Sequence, residues 1–193
     1  MDSKIILVTG GARSGKSVFA EQYCAACPGR HGYIATAQVQ DEEMAARIAA
    51  HRRRRPADWQ TFEVPWGLSD TVDRIWQQTD VVLLDCLTLY FSNYLFAHER
   101  EADGTIIEGA LAEMTAILDK AARQQGKTLV LVTNELGCGI VPMGRVSRVY
   151  RDLIGRINQL AAKRSQQVYL TVSGITMEIK SQMVKLPVPG DEA

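Results

Sequence analysis

Short apolar runs alternate along the chain with longer stretches that mix apolar and polar residues. The apolar runs are rich in β-branched side chains, as in the run that begins at Ile5. A run that is apolar at every position is typical of a strand covered on both faces of a sheet. The predicted strands are residues 5–8, 33–36, 61–64, 81–84, 129–132 and 168–172, with a weaker one at 176–180.

The stretches between these runs predict helices at residues 16–26, 41–54, 68–77, 87–97, 108–125 and about 146–164. Parallel strands need a crossover, which a helix supplies. The alternation therefore predicts a single α/β domain with a mostly parallel central sheet of about seven strands and helices on both faces. The polar segment 99–105 is predicted to be a surface loop, and the proline-containing segment 181–193 a frayed tail.

Length and charge narrow the class of protein. The 193 residues predict one domain over residues 1–193. The 22 Lys and Arg balance the 22 Asp and Glu, so the overall charge gives no reason to expect a nucleic acid or an anionic membrane as partner. No segment reaches the ~18 consecutive apolar residues of a membrane span, and the N-terminal apolar run is too short for a signal peptide. These features predict a cytoplasmic protein.

The cysteines are compatible with two interpretations, a metal or redox site and buried, reduced thiols. Cys24 and Cys27 form a Cys-x-x-Cys pair that could belong to a metal or redox site. Cys86 and Cys138 form no second pair, and no His stands at zinc-finger spacing. We therefore favour buried, reduced thiols.

A phosphate-binding motif stands between the first predicted strand and the first predicted helix. It consists of Gly10, Gly11, Ala12, Arg13, Ser14, Gly15, Lys16 and Ser17, which match Gly-x-x-x-x-Gly-Lys-Ser/Thr. In such a loop the main-chain amides ring the β-phosphate, Lys16 bridges the β- and γ-phosphates, and the Ser17 hydroxyl can ligate Mg²⁺. The alternative is a glycine-rich turn with a solvated lysine, which the agreement of motif, strand and helix disfavours.

Asp85 ends the apolar run 81–84. A carboxylate at the carboxyl end of a strand in an open α/β sheet can stand beside the metal of a bound nucleotide. The same residue could instead cap the helix that begins at Leu87. We favour the role beside the metal, because the phosphate motif already requires a Mg²⁺ partner.

A histidine next to four arginines forms a second candidate site. His51 falls on one stripe of the predicted helix with Met44 and Ile48 and precedes Arg52, Arg53, Arg54 and Arg55. Arginines could neutralise an α-phosphate and a departing pyrophosphate, and their charge disfavours imidazolium, which leaves a neutral nitrogen able to attack. From the residues alone, a solvated basic helix end with a structural His51, or a nucleic-acid patch, remains open.

Several separated segments carry a family resemblance. They are 9–17 (TGGARSGKS), 33–37 (YIATA), 41–44 (DEEM), 47–48 (RI), 51 (H), 133–135 (TNE), 139–142 (GIVP), 151–152 (RD), 155–156 (GR), 158–159 (NQ) and 172–174 (VSG). Together they resemble the bifunctional adenosylcobinamide kinase/adenosylcobinamide-phosphate guanylyltransferase family over about residues 4–180.

The resemblance implies two reactions in cobalamin biosynthesis. A nucleoside triphosphate, ATP or GTP, phosphorylates the aminopropanol hydroxyl of adenosylcobinamide, and GTP then donates GMP through a histidine, which matches His51.

The implied nucleotide contacts are residues 10–17, Ala35, Thr36, Ala37, Arg52 to Arg55, Glu63 and Asp85. Of these, Lys16 is also implied to be catalytic, and Ser17 and Asp85 are implied to bind the metal. Glu63 is the candidate for guanine selection. The implied assembly is a RecA-like P-loop fold in a homotrimer.

Two other functions remain as alternatives. A single-activity P-loop kinase for a small metabolite would use the arginines to bind its substrate. A nucleotide-gated binding module would keep His51 only for structure.

Overall fold

The computed structural model describes residues 2–38, 42, 53 and 55–184. Its centre is a seven-stranded sheet in the order β3-β2-β4-β5-β1-β6-β7. The strands are β1 (Lys4–Gly10), β2 (His31–Ala35), β3 (Gln60–Glu63), β4 (Val81–Asp85), β5 (Thr128–Val132), β6 (Gln167–Val172) and β7 (Ile175–Glu178). All neighbours are parallel except β6 and β7, which pair as an antiparallel hairpin. The predicted mostly parallel sheet is confirmed.

Helices in the described residues connect the strands. They are α1 (Lys16–Ala25), α2 (Leu68–Gln78), α3 (Leu87–Ala97), α4 (Asp103–Ala122) and α5 (Arg145–Arg164), followed after β7 by a 3₁₀ turn (Lys180–Gln182). None of these helices is long and apolar enough to cross a bilayer.

Alternate residues of each apolar strand enter opposite halves of the core. In β1, Ile5 and Leu7 join a cluster with buried residues of α2 to α5, whereas Ile6 and Val8 join a second cluster with buried residues of α1. The continuous apolar runs are explained by this arrangement, because both faces of the sheet are covered. The prediction of helices on both faces is confirmed.

One predicted loop is wrong. Residues 99–105 were expected to form a loop before a helix at 108–125, but α4 begins at Asp103 and ends at Ala122. Its buried stripe begins at Ile106, two residues before the predicted start, and the Asp103 carboxylate lies in the first turn, where the positive end of the helix dipole favours an acid. Gly104 is therefore helical and not a loop signal.

Smaller differences concern histidine and cysteine. His31 lies in β2, which begins two residues before the predicted strand 33–36, and its ring stacks on Trp59 at 5.1 Å. Cys24 and Cys86 are buried, as expected for structural thiols, but Cys138 is exposed, so the expectation of burial is wrong there. Cys138 follows Gly137 in a segment without regular structure, where no helix or sheet covers it.

Two predictions fall partly or wholly outside the described residues. Of the predicted helix 41–54, Glu42 and Arg53 are described, and both are helical. Of the predicted tail 181–193, residues 185–193 lie outside the description.

Candidate functional site

The carboxyl ends of five parallel strands place the candidate residues along one edge of the sheet. The strand registers put Val8, Val132, Asp85, Ala35 and Glu63 in one row, in that order. The phosphate motif follows β1 at one end of this row. At about 4.8 Å between neighbouring strands, Asp85 lies about 10 Å and Glu63 about 19 Å from Val8 of β1.

The phosphate motif forms a tight loop between β1 and α1. Arg13 and Gly15 have φ of 56° and 99°, a left-handed backbone that turns successive amides toward one side. Gly15 occupies the N-cap of α1 without a side-chain cap, so the first amides of the helix remain available to an anion. The hydroxyl of Ser14 is buried and has no hydrogen bond within the described part of the chain. A phosphate oxygen would satisfy these donors.

The β6–β7 hairpin braces this loop from the side. The Gly174 amide donates to the Ser14 carbonyl at 2.8 Å. A Cβ on Gly10 would lie 2.3 Å from the Thr171 carbonyl oxygen, so only glycine fits there. On α1, Phe19 packs on Tyr169 of β6 with 4.9 Å between ring centroids. The loop is thus packed against protein before any ligand binds.

Lys16 is a buried cation inside the loop. Its side chain is among the buried polar groups, at 8% exposure, and its Nζ donates to the Gly11 carbonyl at 3.1 Å. Burial lowers the pKa of Lys16, while Cys86 and the Asp85 carboxylate act in the opposite direction. An ammonium group has three donor hydrogens, so Lys16 can still bind a phosphate oxygen that would also offset its desolvation.

Asp85 is the last residue of β4. The N-cap of α3 is Cys86, not Asp85, which argues against the alternative that Asp85 caps this helix. Oxygen ligands suit Mg²⁺, and a carboxylate two strands from the phosphate loop, together with the Ser17 hydroxyl at the start of α1, fits that ion. MgATP or MgGTP is therefore compatible with the residues present.

The end of β2 is tied to the turn after β4. The Thr36 hydroxyl donates to the Cys86 carbonyl and accepts from the Cys86 amide, both at 3.0 Å. Asn93 of α3 donates to the Thr36 carbonyl at 2.9 Å and to the Pro65 carbonyl at 3.1 Å. Because Thr36 is fully buried and engaged in these bonds, a nucleotide contact from residues 35–37 would come from Ala35 or Ala37.

The far end of the row is exposed. Glu63 is exposed at the end of the outer strand β3, and Trp66 beyond it keeps 62% of its surface in solvent. Arg55 places its guanidinium 3.6 Å from the centre of the Tyr33 ring and donates to the Thr61 hydroxyl at 3.2 Å. The structure thus brings Arg55 to the β2–β3 end of the sheet, where Glu63 also lies.

The proposed nucleophile is not among the described residues. His51, Arg52 and Arg54 lie outside them, and Arg53 is exposed and helical. The predictions for these residues therefore stay predictions.

The sequence assigned no role to several polar residues along this edge, although two of them belong to the motif segments 133–135 and 158–159. Asn93, Asn134 and Asn158 donate or accept hydrogen bonds between strand ends. Asn158 offered a signal, since it lies on the buried stripe of α5 at 9% exposure, where a polar side chain needs a partner. The role of Asn158 in holding Thr133 and Asn134 can be assigned only when the fold shows that it contacts them.

The fold and the phosphate loop define the class of protein, a P-loop nucleotide-binding enzyme. The chain is similar in structure to an ATPase from the type III secretion system of pathogenic bacteria, with a TM-score of 0.59 and 9% identity, covering 95% of this chain and 60% of that one. At this identity the likeness concerns the fold alone.

Sequence comparison identifies the family. Residues 6–179 match the model of the family described as cobinamide kinase / cobinamide phosphate guanyltransferase, and the chain belongs to this family. It is 44% identical over 181 residues to the bifunctional adenosylcobalamin biosynthesis protein CobU of Salmonella typhimurium, covering 91% of this chain and 99% of that protein. It is 41% identical over 177 residues to the bifunctional protein CobP of Pseudomonas aeruginosa, covering 91% and 97%. The resemblance inferred from the motifs is confirmed.

Proposed function

We propose that the chain phosphorylates adenosylcobinamide on its aminopropanol hydroxyl with ATP or GTP and then transfers GMP from GTP to the new phosphate, which gives adenosyl-GDP-cobinamide and pyrophosphate. Family membership and the bifunctional relatives support this proposal. The structural observation that carries it is the buried Lys16 in a braced phosphate loop, on the same sheet edge as Asp85 and Glu63.

The phosphorylation step depends on position and charge. The loop amides and Lys16 hold the β- and γ-phosphates, and the oxygen of the substrate hydroxyl attacks the γ-phosphorus in line. The hydroxyl proton is lost and the nucleoside diphosphate leaves. Mg²⁺ bound through Ser17 and Asp85 would supply further neutralisation of the phosphate charge. No covalent enzyme intermediate is needed.

The guanylyl step takes place at the α-phosphorus and has two displacements. A neutral His51 nitrogen attacks the α-phosphorus of GTP, pyrophosphate leaves, and GMP remains on the histidine as a phosphoramidate. A phosphate oxygen of the corrinoid then attacks the same phosphorus, and the histidine is released. Arg52, Arg53, Arg54 and Arg55 would neutralise the phosphates in both displacements.

The separation between Glu63 and the phosphate loop fits a nucleotide whose phosphates bind at one end of the sheet edge and whose base binds at the other. Glu63 lies about four strand spacings, roughly 19 Å, from the loop that holds the phosphates. A guanine bound at Glu63 therefore requires an extended nucleotide. We propose that the helix carrying His51 moves relative to the phosphate loop between the two steps. A GTP complex in which both centres are reachable without movement would contradict this.

The proposal extends to assembly and location. By family resemblance, we propose a homotrimer with sites near subunit boundaries, which light scattering of the purified chain would test. We also propose a cytoplasmic location, for which the four free cysteines provide support.

Labelled nucleotides test the two steps separately. With α-labelled GTP and Mg²⁺, we expect an acid-labile, alkali-stable protein adduct that His51→Ala abolishes and His98→Ala keeps, because the His98 ring bonds to Glu101 and stacks on Tyr94 at the end of α3. With γ-labelled nucleotide, we expect label in the corrinoid in both variants. Label from the γ-position without any GMP transfer would instead indicate a single-activity kinase. Nucleotide turnover that rises with a protein partner, without an adduct, would indicate a nucleotide-gated module.

A further inference from the structure

One of the motif segments to which no role has been assigned lies between the phosphate loop and Asp85. Residues 133–135 follow β5, the strand between β1 and β4. The Thr133 amide donates to the Val8 carbonyl at 3.0 Å, and the Glu135 amide donates to the Gly10 carbonyl at 3.2 Å. The main chain of this segment is therefore attached to the residue that opens the phosphate loop.

The side chain of Asn134 reaches in the opposite direction. Its Nδ2 donates to the Thr88 hydroxyl at 2.9 Å. Thr88 is buried in the first turn of α3, three residues after Asp85, and its hydroxyl also lies 2.8 Å from the Cys86 sulfur. Asn134 thus connects the phosphate loop to the turn that follows the candidate metal carboxylate.

Other residues already fix the main chain around Asn134. Asn158 of α5 donates to the Asn134 carbonyl at 3.0 Å and accepts from the Thr133 hydroxyl at 2.7 Å. The Asn134 side chain is half-buried, and within the described part of the chain its Oδ1 and second Nδ2 hydrogen make no hydrogen bond. A polar group with spare hydrogen-bonding capacity therefore stands at the middle of the site edge, held in place by Thr88.

We propose that Asn134 is a catalytic residue of the phosphoryl-transfer step, in which its remaining Nδ2 hydrogen donates to the γ-phosphoryl group. This inference rests on the proposed function. Asn134 follows β5, which lies about 4.8 Å from both β1 and β4, so it stands between the phosphate loop and the turn after Asp85, beside the space that a terminal phosphate would enter. A neutral amide can stabilise the transferring oxygens there without repelling them. GMP transfer occurs at the α-phosphorus, at the other end of the triphosphate, and does not need this donor.

The test compares the two chemistries in one variant. In Asn134→Ala we expect kcat for γ-phosphoryl transfer to fall about 10²-fold, the loss typical of one removed transition-state donor. KM for the nucleotide and the rate of protein labelling by α-labelled GTP should stay within about threefold, because those depend on the loop and on His51. Thr88→Val should lower the same kcat by a smaller factor, since it releases the Asn134 side chain without removing it.

Controls separate this inference from folding and from the proposed function. If Asn134→Ala does not fold, Asn134→Asp has the same shape and should lose at least as much phosphoryl-transfer activity, because a carboxylate repels the phosphate. Release of γ-phosphate to water is measured alongside transfer to the corrinoid. If wild type does not phosphorylate cobinamide, the proposed function fails, while γ-phosphate release still tests Asn134. An equal loss of both chemistries, or a phosphoryl-transfer kcat within threefold of wild type, would overturn the inference.

Discussion

The two ends of the sheet edge are built differently. At the β1 end, the phosphate loop is held by the Gly174 amide, the close approach of Thr171 and the packing of Phe19 on Tyr169. At the β3 end, Glu63 and Trp66 are exposed. By our proposal the first end binds groups common to every nucleoside triphosphate, and the second is the candidate for distinguishing one base from another.

This difference indicates where the chain is organised before binding. Lys16 is buried, and the Ser14 hydroxyl has no hydrogen bond among the described residues, so both incur a desolvation cost that a bound phosphate would relieve. An exposed carboxylate has no such cost and gains its selectivity only when a base excludes water from it. We expect substitutions at the β1 end to impair both reactions and substitutions at the β3 end to impair one.

The largest effect is expected from Lys16→Ala. Without the ammonium group, γ-phosphoryl transfer should fall about 10³-fold or more, since a cation at the transferring phosphate commonly contributes that much. GTP affinity measured by calorimetry should fall as well, and so should protein labelling from α-labelled GTP. Lys163→Ala removes an exposed lysine at the end of α5 and should change neither quantity. A Lys16→Ala protein that is folded and loses less than tenfold activity would remove the distinction between the two ends.

A pair of glycines tests the bracing of the loop. Gly10→Ala places a Cβ 2.3 Å from a main-chain oxygen, which cannot move without opening the hairpin, so we expect a loss of about 2–4 kcal/mol in the free energy of unfolding. At Gly11 an added Cβ meets nothing within 4 Å, so Gly11→Ala should change the free energy of unfolding by no more than about 0.5 kcal/mol. Urea denaturation of both variants measures the contrast. Equal stability of the two would show that the hairpin does not constrain the loop.

The sequence predicted some parts of the site and of the fold better than others. The phosphate loop was predictable because its motif, strand and helix are contiguous, and all three indicated the same structure. Asn134 belongs to the motif segment 133–135, but its role was not predictable, because its place beside Thr88 follows from the order of β1, β5 and β4 in the sheet, which one sequence does not contain. The start of α4 was missed for a local reason: Gly104 was taken as a loop residue, although a first helical turn tolerates glycine when an acid such as Asp103 stabilises the helix end.

The smallest and most selective effect is expected at Glu63. Glu63→Gln replaces a carboxylate that can accept from the guanine N1–H and exocyclic amine with an amide that presents one acceptor and one donor. The loss of one charge-assisted hydrogen bond corresponds to about 10-fold in kcat/KM for labelling by α-labelled GTP. The phosphorylation step should be unaffected, since it depends on the phosphate end.

Glu108→Gln, which changes an exposed carboxylate on α4, is the matched control. If Glu63→Gln retained its preference for GTP over ATP in guanylylation, the β3 end would have no role in base selection, and selectivity would have to reside nearer the phosphates.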